Sequence, residues 1–473
     1  MSIQEVRMKY RRSGGHAVVM GGSMAGLLAA RVLTDHFEKV TIIERDPLPN
    51  RAENRKGVPQ GRHLHGLLNK GADILSRLFP DLIPALVSGG ATTFDAAAEA
   101  RWHHFGGYKV QFQSGITAIA QSRPFLEYEV RRRVLALHNL ETLQECDVKG
   151  LVTSPDQRTV TGVKIQRRVE EAIEQTLPAD LVVDATGRGS QSPKWLQGLG
   201  YPRPEETVVK VDVGYTTRNY RRKPGDLSGA KLLLVYPTPP VETRMGGMFP
   251  IEDDRWIVTL GGWVGDHAPA EEQGFLEFAR SLPVLDLYNF IKQAEPLTDL
   301  VTLKYPANRR HRYEKMTRFP EGYIVLGDAL CSFNPIYGQG MTASALEAVT
   351  LDTCLKEQQR QRDDLTDFPS RFFQKAAKVV DIPWSLAVGE DFRYPQVEGV
   401  KAPGTDLINW YVGKVHRVVM HDPLVYRAFL NLMNLTHPPT TMFNPRILLR
   451  VIKGSMFSRL KTKPLARRAR QQV

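Results

Sequence analysis

One glycine-rich turn and one acidic residue have the types and spacing that dinucleotide binding requires. The turn Gly21-Gly22-Ser23-Met24-Ala25-Gly26 follows a short apolar run, and Glu44 ends the next apolar run. The first glycine permits a tight turn, the last permits close helix–strand packing, and the helix N-terminus offers N–H groups to a pyrophosphate. Glu44 can accept hydrogen bonds from an adenosine ribose. The pattern therefore favours a dinucleotide site over a purely structural turn, with Ser23 as a departure from the usual glycine.

A second constellation runs from Gly327 to Thr342 (GDALCSFNPIYGQGMT), where a strand ends in Asp328 and two glycines open an Ala-rich helix. Here the chain resembles the flavin-dependent monooxygenases of the aromatic-hydroxylase type, a group that includes squalene epoxidase and bacterial epoxidases of polyether precursors. The resemblance spans roughly residues 16 to 350 and implies FAD as the cofactor. It implies that Asp328 binds the ribitol and pyrophosphate region, and that Pro335, Gly338 and Gly340 lie along the flavin. The family usually has a histidine where this chain has Cys331.

Two further segments extend the resemblance. Asp180 to Ser190 (DLVVDATGRGS) is similar to the family's third fingerprint, but Thr186-Gly187 replaces the usual Asp-Gly pair. Two electron sources therefore stay open: NAD(P)H that binds directly to this chain, and a separate flavin reductase. Arg123 resembles the family's arginine that meets the FAD phosphates, and Arg62 stands where relatives place residues close to the flavin; a surface ion pair is the alternative for each. The residues expected to bind the cofactor are Gly21, Gly22, Ser23, Met24, Ala25, Gly26, Glu44, Arg45, Arg62, Arg123, Val148, Asp328, Pro335, Gly338, Gly340 and Met341.

Apolar residues of the strand-rich middle of the chain are candidates for substrate contact. Met248, Phe249, Trp256 and Trp263 could line an apolar cavity, and an ordinary sheet core explains them equally well, because alternate residues of a strand face opposite sides. His63 and His65 lack further ligands at metal-binding spacing, so no metal site is predicted.

The elements that position these residues follow from hydrophobic periodicity. Strand, turn, helix and strand over residues 16–44 form a βαβ unit, which implies a parallel sheet. The predicted class is α/β: a Rossmann-like FAD-binding domain (14–90, 121–200 and 301–355), an interleaved antiparallel β-sheet substrate domain (91–120 and 201–300), and a helical C-terminal region with a basic tail (356–473). Strands are expected over 111–120, 208–216, 232–236 and 256–263. Ser122 is a predicted helix cap, and prolines from Pro383 onward are expected to break the C-terminal helices.

Composition and charge limit the function classes. Hydrophobic residues at 42% and charged residues at 24% are typical of a globular protein. The three cysteines form no disulfide framework, no run of about 18 apolar residues exists, and a cytoplasmic protein is expected. The net charge of +12 resides mainly in the tail, because Arg446 to Val473 hold nine Lys and Arg and no acid, which leaves +3 for the rest. Peripheral membrane contact through this tail stays open beside a solvated tail, and nucleic acid is not the expected partner.

The resemblance implies an FAD-dependent monooxygenase in which reduced flavin and O2 give a flavin C4a-hydroperoxide. Its distal oxygen would pass to a lipophilic small molecule, by epoxidation or hydroxylation of a polyene, terpenoid or aromatic. Because the sequence shows no acid–base dyad, no catalytic side chain is assigned beyond Arg62 as a candidate, and epoxidation is slightly favoured. The alternatives are a flavin-dependent reductase of isoprenoid double bonds, a halogenase, although no Trp-x-Trp-x-Ile-Pro segment occurs, and a nucleic-acid-binding protein that uses its basic tail.

Overall fold

The structure is a computed structural model that describes residues 13–362 and 364–461, with side chains described as far as residue 455. Its helices are α1 (Met24–Leu33), α2 (Asn69–Leu78), α3 (Leu82–Ser88), α4 (Arg123–Leu135), α5 (Ser192–Gly198), α6 (Glu272–Arg280), α7 (Asp286–Ile291), α8 (Gly340–Gln361), α9 (Phe368–Asp391), α10 (Thr405–Val418), α11 (Pro423–Met433) and α12 (Pro445–Lys461).

Its strands are β1 (Gly14–Met20), β2 (Phe37–Ile43), β3 (Thr92–Asp95), β4 (Ala100–His104), β5 (Gly107–Tyr108), β6 (Thr117–Ala120), β7 (Leu140–Leu143), β8 (Cys146–Thr153), β9 (Val160–Arg167), β10 (Gln175–Pro178), β11 (Leu181–Asp184), β12 (Glu206–Arg221), β13 (Leu232–Val235), β14 (Arg244–Ile251), β15 (Arg255–Gly262), β16 (Val301–His311), β17 (Tyr323–Val325), β18 (Cys331–Ser332) and β19 (Glu398–Gly399).

The first layer is a parallel sheet in the order β17-β11-β1-β2-β7. Its central strand β1 has four consecutive fully buried residues, Ala17 to Met20, as expected for a strand covered on both faces. Helices α1 and α8 pack together, and α1 joins β1 to β2 as the sequence predicts. The α/β class with a Rossmann-like portion is therefore confirmed.

The second layer is a larger sheet in the order β18-β16-β12-β15-β14-β13-β4-β5, with β19 paired to β12. Its pairs are antiparallel except β13 with β4, which is parallel. One face packs on α6 and α7 in a core of its own. Strand β16 (Val301–His311) pairs with β12 along most of its length, so these residues belong with the second sheet rather than with the FAD-binding portion to which the sequence assigns 301–355.

Two local predictions are wrong. Residues 111–116 form no strand, because the backbone here turns at Gly115 (φ +69°), whose N–H donates to the carboxylate of Asp95, while Phe112 and Ile116 pack on the C-terminal helices. Pro383 does not break the C-terminal region but lies inside α9. It is buried there between Val380 and Trp384, and this packing offsets the backbone hydrogen bond that a proline removes from a helix. The basic tail from 462 to 473 lies outside the described residues.

Candidate active site

The turn between β1 and α1 can be made only by glycines at two positions. Gly21 has φ of +102°, and a Cβ there would lie 2.6 Å from the Ala185 carbonyl oxygen. A Cβ on Gly26 would lie 1.8 Å from the Gly21 oxygen. The helix therefore starts directly at the end of the strand, and its first N–H groups, which have no intrahelical acceptors, are presented to a ligand.

The end of β2 lies beside this turn and supplies a carboxylate. Glu44 is buried, and its Oε2 accepts a hydrogen bond from the Gly22 N–H at 2.8 Å. The next side chain, Arg45, is more than half exposed. Strand β8 is held here because the Cys146 N–H donates to the Glu44 carbonyl, which brings the half-buried Val148 into the same region. The structure thus brings together the residues predicted to bind the adenosine ribose end of the cofactor.

A buried ionic network that the sequence does not reveal lies next to Ser23. Glu127 on α4 accepts from Arg55 Nε at 2.8 Å and from Ser23 Oγ at 3.0 Å, and it pairs with Arg123 at 2.7 Å. Burial alone would raise the pKa of Glu127, but the guanidinium groups of Arg123 and Arg55 hold it below its usual value. Arg123 and Glu127 are four residues apart on one helix, which is a readable signal. Arg55 has no local signal, because its partners Glu44 and Glu127 lie 11 and 72 residues away.

Arg123 and Ser23 lie where the diphosphate of a dinucleotide would cross the turn. Ser122 caps α4 as predicted, accepting from the Phe125 N–H, and so fixes where Arg123 starts the helix. Arg123 Nη2 donates to Ser23 Oγ at 3.2 Å. The side chain of Asp328 is exposed and faces the charges of Arg188 and Arg123. The structure therefore brings the first glycine turn, Arg123 and the Asp328 segment into one site.

The segment after Asp328 forms a rigid loop in front of α8. Pro335 opens a 3₁₀ turn over Pro335–Tyr337, Gly338 follows in the left-handed region (φ +67°), and Gly340 begins α8. Met341 in the first turn of α8 is partly buried against the core. Gln339 caps the helix without using its side chain, and both of its buried amide atoms lack a protein partner within the described residues. Such a pair of orphaned groups fits a polar ligand at this helix N-terminus.

These features satisfy the requirements of FAD. The site offers two helix N-termini, glycines where any Cβ would collide, an arginine at the turn, and unpartnered amide atoms beside the Pro335–Gly338 loop. The Gly turn, Glu44, Arg45, Arg123 and Val148 would hold the adenosine and diphosphate, and Asp328 with the Pro335–Gly338 loop would hold the flavin end.

Asp391 anchors the loop from the opposite side. This buried carboxylate, at the end of α9, accepts hydrogen bonds from Asn334 Nδ2 at 2.9 Å and Tyr337 Oη at 2.9 Å. It also accepts from Asn308 on β16 at 2.8 Å and from the Trp263 indole at 3.1 Å. Burial raises the pKa of Asp391 to about 6, although the four donors oppose that shift. Loop, second sheet and C-terminal region therefore meet on one side chain.

Residues 59–65 form the other wall of the flavin end. Arg62 is exposed at the end of the 3₁₀ turn Pro59–Arg62, and His63 is buried with Nδ1 bonded to Thr217 Oγ1 at 2.8 Å. Burial lowers the pKa of His63 to about 3, helped by His65 and Arg62. Burial and the charge of Arg123 lower the pKa of His65 to about 4. Both imidazoles are neutral at physiological pH.

Two apolar cavities adjoin the Pro335–Gly338 loop. The first, here called the flavin-side cavity, has a volume of about 1350 Å³ and is lined by that loop, by Leu64, Gly66, Leu67 and Leu68, and by β4, β13 and β14. The second, the C-terminal cavity, encloses about 1110 Å³ beneath α9, α10 and α11. Both volumes include some open solvent. The cavities share the walls Trp102, Tyr236, Tyr337 and Met433.

The candidate substrate residues divide between these cavities and the core. Phe249 lines the flavin-side cavity, and Trp263 lines the C-terminal cavity. Met248 and Trp256 instead lie in the core that the second sheet forms with α6 and α7. Because residues alternate along β14, Gly247 and Phe249 face the cavity while Met248 faces the helices. The prediction that Met248 and Trp256 contact the substrate is therefore wrong, because their side chains lie in the core and not at the cavity wall.

Solved structures share this fold. The flavin-dependent brominase Bmp2 matches 95% of this chain and all of its own length, with a TM-score of 0.63 at 13% identity. Pseudomonas aeruginosa PqsL, a probable FAD-dependent monooxygenase, matches 80% of this chain and 97% of its own, with a TM-score of 0.57 at 16% identity. In sequence, kynurenine 3-monooxygenase of Salinispora arenicola is 26% identical over 347 residues, 72% of each chain. No protein-family model matches the sequence.

The fold is the one that these flavin-dependent enzymes share, and the residues of the site fit FAD. The chain is also 34% identical over 436 residues to Protein Rv3254 of Mycobacterium tuberculosis (strain ATCC 25618 / H37Rv), an alignment that covers 89% of each protein. The protein therefore belongs to the family of Rv3254. The comparisons with solved structures show the fold and do not distinguish the epoxidase-like subgroup that the sequence suggests.

Proposed function

We propose that the protein inserts one oxygen atom from O2 into a lipophilic small molecule, namely a polyene, a terpenoid or an aromatic compound. The observation that carries this proposal is the flavin-side cavity, whose apolar wall reaches the Pro335–Gly338 loop. When bound and reduced, FAD supplies the oxygen-transfer chemistry. The chain's own task is to hold the substrate against that loop and to keep water away from it.

The lining of the flavin-side cavity favours epoxidation over phenol hydroxylation. Among the described residues that line it, none is acidic, basic or histidine; the polar side chains are Thr259, Asn434, Trp102 and the phenols of Tyr215, Tyr236 and Tyr337. Burial raises the pKa of Tyr215 and Tyr236 well above the ordinary phenol value, so both stay protonated. Addition of oxygen to an alkene needs no protein base, whereas hydroxylation of a phenol gains from one.

Thr259 is itself engaged and is not available as a base. Its hydroxyl lies 2.7 Å from the Thr217 hydroxyl, which also bonds His63 Nδ1. This chain of hydroxyls connects the loop at residues 59–65 with β12 and β15. Its role is to fix the floor of the cavity and to position the loop that carries Arg62.

The proposal is tested with the FAD-loaded protein under ¹⁸O2. Reduced nicotinamide is supplied with and without an added flavin reductase, and a panel of polyenes, terpenoids and phenols is offered. One ¹⁸O atom in an epoxide or a hydroxylated product supports the proposal, and turnover only in the presence of the reductase identifies the electron source. A hydrogenated product without label, or a halogenated product that requires chloride or bromide, contradicts it.

A further inference from the structure

An exposed apolar surface covers part of the C-terminal region. Helices α10 and α12 lie side by side, with Tyr411 stacked on Phe443 at a centroid distance of 5.2 Å. These two helices and the 3₁₀ turn before α12 carry six large apolar side chains that are 40 to 69% exposed, here called the apolar patch: Leu407, Ile408, Trp410, Phe443, Leu449 and Ile452. Exposed apolar residues are normal when scattered singly over a surface, but six on two adjacent helices and the turn before one of them point to an interaction surface.

Basic side chains border the apolar patch. Lys414 and Arg417 follow Leu407 and Trp410 on the same side of α10, with the Lys414 ammonium 4.5 Å from the Trp410 ring centroid. On α12 the basic residues Arg446, Arg450 and Lys453 are exposed beside Leu449 and Ile452. Two acids lie near, and each pairs with a base: Asp406 with Lys401, and Asp422 with Arg450. From Arg446 to the end of the chain the sequence holds no acid at all.

The apolar patch is continuous with the entrance of the C-terminal cavity. Ile408 and Phe443 belong to the patch, are about half exposed, and also line that cavity. The cavity therefore reaches the surface between α10 and the segment before α12. Through the shared walls Trp102 and Tyr236 it adjoins the flavin-side cavity.

We propose that the apolar patch rests on an anionic lipid bilayer and that the substrate passes from the bilayer through the C-terminal cavity to the flavin-side cavity. The second half of this statement rests on the proposed function, whereas the docking does not. Aliphatic and tryptophan side chains enter the headgroup boundary, and Lys and Arg beside them contact lipid phosphates. No helix in the part of the chain that the structure describes could cross a membrane, so the contact is peripheral.

Two other occupants fit the patch less well. A second copy of the chain would bring two basic rims together, and like charges disfavour such an interface. A nucleic acid would satisfy the basic rim, but it would leave Leu407, Trp410 and Leu449 against phosphates rather than in an apolar medium. An anionic bilayer satisfies both kinds of side chain at once.

The test is co-sedimentation of the full-length, FAD-loaded protein with vesicles of phosphatidylcholine alone or mixed with phosphatidylglycerol. We expect binding to the mixed vesicles that weakens with salt. The double variant Leu407→Gln/Trp410→Gln touches neither cavity and is expected to lower the partition coefficient at least about tenfold. The matched control Val169→Gln/Ile173→Gln removes two apolar residues of similar exposure in the β9–β10 hairpin and is expected to bind like the parent chain.

Several outcomes overturn the docking. They are no vesicle binding, equal loss in both double variants, a dimer in light scattering that Leu407→Gln/Trp410→Gln dissociates, or DNA binding that vesicles do not displace. Oxygenation of a substrate supplied in detergent is measured in parallel. If that activity persists while vesicle binding is absent, the docking fails and the proposed function stands; if vesicles bind and no oxygenation occurs, the reverse holds.

Discussion

Tyr337 donates its phenolic hydrogen bond to the buried carboxylate of Asp391 across 2.9 Å, and this contact joins the loop before α8 to the end of α9. The loop and the carboxylate are 54 residues apart in sequence. Because Asn334 donates to the same carboxylate, both ends of the Pro335–Tyr337 turn are tied to one group. Helix α9 therefore helps to hold the loop at the flavin end of the site.

Replacement of Asp391 tests this tie. Asp391→Ala leaves four buried donors without an acceptor, and we expect a loss of about 3 kcal/mol or more in the free energy of unfolding. FAD affinity is expected to fall by about tenfold, because the loop is no longer held in its binding shape. Urea unfolding and fluorescence titration with FAD measure the two effects. Lys378→Gln, on an exposed position of α9, is the control; an Asp391→Ala protein that matches it in both measurements contradicts the role.

The glycine turn allows a sharper test. Gly26→Ala places a methyl group 1.8 Å from the Gly21 oxygen, so helix α1 must move away from β1. We expect a protein that retains no FAD after gel filtration. Gly198→Ala, where a Cβ meets nothing within 4 Å, is the matched control and should retain FAD as the parent chain does. Equal FAD content in the two variants would show that the turn is not the diphosphate site.

Substitutions of two adjacent residues of β14 should have different effects, one on stability and the other on the reaction. Met248→Ala removes a fully buried side chain from the core against α6 and α7, and is expected to cost about 2–5 kcal/mol in unfolding free energy. Phe249→Ala enlarges the flavin-side cavity and is expected to leave stability nearly unchanged while more reduced cofactor yields hydrogen peroxide, since water gains access. Thermal unfolding and a peroxide assay decide the case. The reverse pattern would mean that the cavity is not the substrate site.

Acid should unfold the protein in a predictable window. Burial lowers the pKa of His63 to about 3 and holds the pKa values of His104 and His416 well below the usual 6.5. Below pH 6.5 the unfolded chain therefore binds protons that the folded chain does not, so stability is complete above that pH and falls as pH decreases. Each such histidine lowers the free energy of unfolding by about 1.4 kcal/mol for each pH unit below about pH 6.

The carboxylic acid of Glu347 opposes this trend. Burial raises its pKa to about 8, so the folded chain holds a proton between pH 4.5 and 8 that the unfolded chain releases, and stability contributed by this group declines as pH rises through that range. Urea unfolding of the parent chain at pH 5, 6.5 and 8 measures the balance. An unfolding free energy that increases from pH 6.5 to pH 5 would contradict the assignment of neutral buried histidines.

The sequence predicts the parts of the site whose physics is local. Helix α1 over Met24–Leu33, the Ser122 cap and the glycine turn each depend on a few neighbouring residues, and all three are observed as predicted. The prediction that Pro383 breaks a helix fails because burial of its neighbours outweighs its propensity.

Groups assembled by folding leave no comparable pattern. Glu127 accepts a hydrogen bond from Arg55, 72 residues away in sequence, and Asp391 accepts one from Asn308, 83 residues away. The sequence could not decide whether Met248 faces the cavity or the core. Alternation along a strand shows which residues share a face, but not which face covers the cavity.

The proposed FAD-dependent oxygenation requires that one FAD be bound to each chain across the Gly21 turn, Arg123 and the Pro335–Gly338 loop. The most direct measurement is the flavin released from the purified, FAD-equilibrated protein and identified by mass spectrometry. We predict one FAD per chain in the parent protein and a clear loss in Arg123→Gln, with Arg132→Gln, a half-exposed neighbour on α4, unchanged. A colourless protein that takes up no FAD would contradict the account.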